Sequence, residues 1–166
     1  MQNCCNYEVG YAPKGKTPIA KLSPKYKIKV NLISAINNKG KLHFMMYDER
    51  MNQQRYILFL SRVLKESKTK VFIISDNLKV HHGEIVKEWC KHNADKIELF
   101  YIPSYSPELN PDEYFNGTLK RRVEKEGNID SKSEMDKIVK NIVENIQADM
   151  QLVSCFFMAK DVAYSA

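Results

Sequence analysis

The apolar positions of this chain change their spacing several times, and each change marks an element. Tyr26, Ile28, Val30 and Leu32 alternate with Lys27, Lys29 and Asn31, the period-two pattern of a half-buried strand. Asn37-Asn38-Lys39-Gly40 is turn chemistry, and residues 41–47 return as a second strand with Leu42, Phe44 and Met46 on one face. Residues 26–47 are therefore predicted to be an antiparallel hairpin. Tyr56, Phe59, Leu60, Val63 and Leu64 then follow helical spacing, which predicts an amphipathic helix over 52–66. Residues 70–75 carry the continuous apolar run Val71-Phe72-Ile73-Ile74, expected of a strand covered on both faces.

A second helix over 84–92 is expected to bury Ile85, Val86, Trp89 and Cys90, and 97–102 reads as a further strand. Strand, helix and strand in such close succession form a βαβ unit, whose crossover makes the two strands parallel. Pro103, Pro107 and Pro111 stiffen the loop that follows. The next helix runs over 111–125 with the stripe Phe115, Leu119 and Val123. Ser131 and Glu134 form a capping-box signature ahead of Ile138, Val139, Ile142, Val143 and Ile146. Phe156, Phe157 and Val162 pack a last short helix. Residues 1–25, broken by Gly10, Pro13, Gly15, Pro18 and Pro24, read as loop with a short hairpin near 8–12. The element order is β-β-α-β-α-β-α-α, an α/β domain with a mixed sheet.

Composition narrows the class. At 166 residues the chain is one domain, and 43% hydrophobic with 28% charged residues is a globular balance. No apolar run is long enough to cross a bilayer, and Met1–Asn6 lack the basic and apolar regions of a secretory leader. A cytoplasmic protein with no membrane partner is expected. Cys4, Cys5, Cys90 and Cys155 lack metal-site spacing and read as reduced, buried thiols. The net charge of +6 suits a polyanionic partner, most commonly nucleic acid.

In open α/β sheets, sites gather beyond the carboxyl ends of parallel strands. Asp76-Asn77 follow the buried strand at that position, and the next strand leads through 103–111 to Asp112 and Glu113 in the first turn of a helix. A strand-end Asp and a helix-start Glu can thus face one pocket. Paired carboxylates suit a hard divalent cation such as Mg2+, and metal at such a site serves displacement at phosphorus. Lys120, Arg121 and Arg122 lie further along the same helix, where they can hold a DNA backbone. Each feature also has a structural reading. Asp76-Asn77 starts a turn, Asn110 with Glu113 caps a helix, His81-His82 anchors the helix that follows, and Lys120-Arg121-Arg122 is a solvated face.

The words themselves are more specific. Asp76-Asn77-x-x-x-His81, followed by Tyr105-Ser106-Pro107-Glu108-Leu109-Asn110-Pro111-x-Glu113, resembles the DDE transposases of the mariner superfamily and its bacterial insertion-sequence branch. Tyr11-Ala12-Pro13-Lys14-Gly15-Lys16-Thr17-Pro18 and Val162-Ala163-Tyr164 resemble two further segments of that family. The resemblance implies an RNase H-like mixed sheet flanked by helices, and metal-dependent DNA cleavage and strand transfer in transposition. Asp76 and Glu113 carry over as catalytic metal ligands for Mg2+ or Mn2+. Asn77 and His81 are implied as supporting residues, divided between positioning the Asp76 loop and touching DNA. Asp112 is the runner-up to Glu113.

By the same resemblance the partners are transposon-end and target DNA, with a homodimer in the full-length parent and a nucleoid location if bacterial. The family's first catalytic Asp, on a first central strand, has no counterpart in 1–166, nor has its upstream helix-turn-helix domain. The expectation is a truncated catalytic domain, inactive alone. The alternatives are a complete metal nuclease that uses Asp48, and a non-catalytic DNA-binding module.

Overall fold

The computed structural model describes residues 13–15 and 28–165. The expected hairpin near 8–12, the strand start at Tyr26, most of the 11–18 segment and the thiols Cys4 and Cys5 lie outside them. Strand β1 spans Asn31–Ile36 and pairs antiparallel with β2, Leu42–Tyr47, in a register that sets Ser34 opposite Phe44. Gly40 closes the turn at φ 84°, and a Cβ there would come within 2.2 Å of the Met150 carbonyl, so the turn needs glycine on both counts. Helix α1, Gln53–Lys65, starts where the Asn52 side chain accepts the Arg55 backbone N–H.

Strand β3, Val71–Ser75, pairs parallel with β4, Ile97–Tyr101, through the crossover helix α2, Glu84–His92. Helix α3, Pro111–Lys125, has Asn110 as its cap, and the Asn110 side chain accepts the Asp112 N–H at 3.0 Å. Helix α4, Lys132–Ala148, is capped by Ser131, whose hydroxyl accepts the Glu134 N–H. Glu134 reaches back one residue further than a standard capping box, to the Asp130 N–H. Helix α5, Met150–Cys155, and a 3-10 segment at Lys160–Ser165 follow.

The α/β fold carries the expected antiparallel and parallel strand pairs, and among the described residues they form two separate two-stranded sheets, β1–β2 and β3–β4. Helix α1 lies across one face of both. Its Tyr56 and Leu60 pack with Val86 of α2 and Ile97 of β4, while Phe59 and Val63 pack with Met45 of the hairpin. Ile33 of β1 and Ile73 of β3 touch both groups, so α1 holds the two sheets together.

The opposite faces differ. That of β1–β2 is covered by Phe115, Leu119 and Val123 of α3, by the apolar stripe of α4, and by Val153 of α5. On β3–β4 the corresponding face is open, with Phe72 62% and Ile74 52% exposed. The expectation that β3 is covered on both faces is thus corrected: α3, α4 and α5 pack over the hairpin rather than the parallel pair. Two smaller expectations change as well. Ile85 points out of α2, leaving Val86 as its buried residue, and Cys155 is exposed rather than buried.

Candidate functional site

Residues 32–36 of β1 and 72–75 of β3, with Asp76 just beyond it, line opposite sides of a cavity of about 400 Å³. Consecutive residues of both strands reach it, so the two strand edges face one another across the space that divides the sheets. This cavity separates the hairpin from the parallel strands. Its carboxyl-end rim is polar and holds Asp76 from the end of β3 and Asp112 and Glu113 from the first turn of α3.

Asp76 sits on a constructed base. The buried His81 comes from the 3-10 turn Lys79–His82, and its ring stacks on Tyr56 with centroids 4.1 Å apart. His81 Nδ1 lies 2.9 Å from Ser75 Oγ and 2.8 Å from Asp76 Oδ1. The second approach lacks hydrogen-bond geometry, so Asp76 Oδ1 is shut from solvent without a hydrogen-bond partner. Tyr56 donates to Ser75 Oγ, and burial pushes its phenol up to about 12, which keeps it a neutral donor. Tyr101 donates to the His81 carbonyl. His82 meets Asn77 Oδ1 through Nε2, and the Asn77 amide donates to Ser104 Oγ at 2.7 Å. Asn77 thereby ties the β3 loop to the β4 loop.

On the facing side Ser34 donates to Asp112 Oδ2 at 2.8 Å, and Asn116 donates to the same oxygen at 3.3 Å. Asp112 Oδ1 is enclosed and accepts nothing. Burial pushes the Asp112 carboxyl up to about 6, and the negative charges of Glu113 and Asp76 add to that shift. Glu113 is exposed at the cavity. Two enclosed carboxylate oxygens that accept no hydrogen bond, on the polar rim of a largely apolar cavity beside a third carboxyl, form a hard-oxygen donor set. Such a set fits a divalent cation of the Mg2+ type. No three His, Cys, Asp or Glu side chains converge as a closed metal cluster among the described residues.

Asp48 lies elsewhere. It is exposed, paired with Lys132 of α4, and not among the residues that line the cavity. Lys120 and Arg121 are exposed on α3 beyond the cavity, with Arg122 partly covered, and Arg121 donates to Thr118. The residues that sequence reasoning missed are Ser34, Ser75 and Tyr56. Their only local signal is a polar or hydroxyl-bearing residue within an apolar stretch.

The chain belongs to the DDE superfamily endonuclease family, whose model matches residues 2–136. Among solved structures the chain is similar to the Mos1 strand transfer complex, at 20% identity and a TM-score of 0.62, covering 95% of this chain and 49% of that one. It is also similar to the catalytic domain of Mos1 mariner transposase, at 18% identity and a TM-score of 0.58, covering 89% of this chain and 78% of that one. The Mos1 catalytic domain with raltegravir and Mg matches at 16% identity and a TM-score of 0.53, covering 82% and 81%. The chain thus spans about half of the first of these proteins. A search of curated proteins found no match. No helix among the described residues is long and apolar enough to cross a membrane.

Proposed function

We propose that this chain is the catalytic part of a transposase that cuts transposon-end DNA and joins it to target DNA in the cytoplasm, with Asp76 and Glu113 as ligands for Mg2+ or Mn2+. The observation that carries the reading is the shared rim. Asp76 from the β3 end and Asp112-Glu113 from the α3 start line one cavity, where two enclosed carboxylate oxygens accept no hydrogen bond. Asp112 already accepts from Ser34 and Asn116, which leaves Glu113 as the carboxylate able to move toward a ligand. When bound, a divalent cation supplies charge to the phosphoryl oxygens and acidifies its own water.

The chain's own residues do the positioning. Ser75, His81 and Asn77 orient the Asp76 loop, and Tyr56 walls it from solvent. Lys120, Arg121 and Arg122 hold phosphates along α3. The homodimer of the full-length parent belongs to the same reading. Asp76 and Glu113 by themselves hold one loosely placed ion. Misplacing a reacting group by about 1 Å costs on the order of a hundredfold in rate.

The test compares 1–166 with the same chain extended by an apolar strand ending in Asp-Glu, on DNA with Mn2+. Nicking by the extended chain alone, abolished by Asp76→Ala and by Glu113→Ala, supports the reading. Nicking that survives both substitutions would refute it.

A further inference from the structure

Tyr105 is fully exposed, at 101% of its reference surface, and is the one described non-glycine residue with a left-handed backbone, at φ 61°. A ring left wholly in water adds nothing to the core, and a left-handed tyrosine is strained. Neither feature serves folding, yet the loop that carries them is pinned on both sides. Upstream, Ser104 Oγ accepts from Asn77, the neighbour of Asp76. Downstream, the Leu109 N–H donates to the Ser106 carbonyl at 3.2 Å and the Asn110 N–H donates to the Pro107 carbonyl at 3.0 Å. Asn110 then caps α3 at Asp112. The base of Tyr105 is therefore held in register with both carboxylate-bearing elements of the cavity.

We infer that Tyr105 is a stacking platform for an unpaired nucleobase of the DNA strand engaged at the Asp76–Glu113 cavity. This rests on the DNA-cutting reading above. An aromatic face presented to solvent on a rigid loop stacks any base, since every base has a π-face. A base inside a duplex has both faces covered, so the platform selects a base at a strand end or one turned out of the helix. A nucleobase fits better than a protein partner, because the residues on either side of Tyr105 in the chain, Ser104 and Ser106, are polar, whereas an aromatic anchor at a protein interface sits within an apolar patch. The net charge of +6 also favours a polyanion.

The experiment uses the full chain and two short DNAs, one blunt and one with a single-stranded overhang carrying 2-aminopurine. Binding to the overhang DNA is expected to quench the probe. Tyr105→Ala is expected to abolish the quench and weaken overhang binding by about 5- to 100-fold, the range of one lost base stack. Blunt-duplex affinity and the melting temperature should stay unchanged, and Tyr105→Phe should behave as the parent chain. Equal overhang affinity and equal quenching in Tyr105→Ala overturn the inference while leaving the DNA-cutting reading intact. Failure of the parent chain to bind either DNA overturns both. If Tyr105→Ala changes self-association alone, the ring is a protein contact and the inference falls.

Discussion

The hairpin half and the parallel half of this domain bury their strands in opposite ways. β1–β2 is sandwiched between α1 and the α3–α4–α5 layer, and its core includes Phe115, Leu119, Met135 and Val143, all of them fully buried. β3–β4 is covered on the α1 side only, and Phe72, Ile74 and Phe100 of its other face are open to solvent. The polar rim lies where the halves meet, with Asp76 from the open half and Glu113 from the closed one. Stability therefore concentrates in the hairpin half. The carboxylate that ends β3 depends on a local scaffold of Ser75, His81 and Tyr56 rather than on a two-sided core.

The largest expected effect tests that division. Phe115→Ala should cost roughly 3–5 kcal/mol in chemical denaturation, as for a fully buried aromatic, whereas Phe72→Ala should change stability by no more than about 0.5 kcal/mol. Comparable losses at the two positions would erase the contrast between the halves.

Next comes a pH effect at the boundary. The Asp112 carboxyl is raised from 3.8 to about 6, so between those values the folded chain keeps a proton that the unfolded chain releases. Its contribution to stability is full below about pH 4, falls as pH rises toward 6, and is flat above. The expected loss is roughly 2–3 kcal/mol. Asp112→Asn should remove this slope and raise stability at pH 7, measured by urea unfolding without added metal. An unchanged slope would mean that Asp112 is open to solvent when ionised.

Much of the architecture is legible along the chain because its periods are strong. The stripe Phe115–Leu119–Val123 and the capping pair Ser131 and Glu134 act locally, and both appear where their spacing places them. The run Val71–Ile74 predicts a strand but not its cover, since an apolar residue does not specify which helix reaches it. The split into two sheets was implied only by the family resemblance, because a strand edge leaves no mark on the residues beside it. At the site, Asp76 and Glu113 stand out by their motifs. Ser34 and Tyr56 come from distant elements, and only tertiary packing brings them to the carboxylates.

The smallest effect concerns α3, which belongs to the closed half but carries the cations. Changing Lys120, Arg121 and Arg122 to Ala should flatten the log–log salt dependence of DNA binding by about 2–3 units. An unchanged slope would make these side chains a solvated face.

The account turns on one cation joining the two halves through Asp76 and Glu113. Titrating Mn2+ into isotopically labelled 1–166 and following amide signal loss by NMR tests this directly. The account predicts that broadening begins together at Ser75–Asn77 and at Asp112–Tyr114, and that Asp76→Ala removes it from both. Broadening confined to one half, or unaffected by Asp76→Ala, would contradict it.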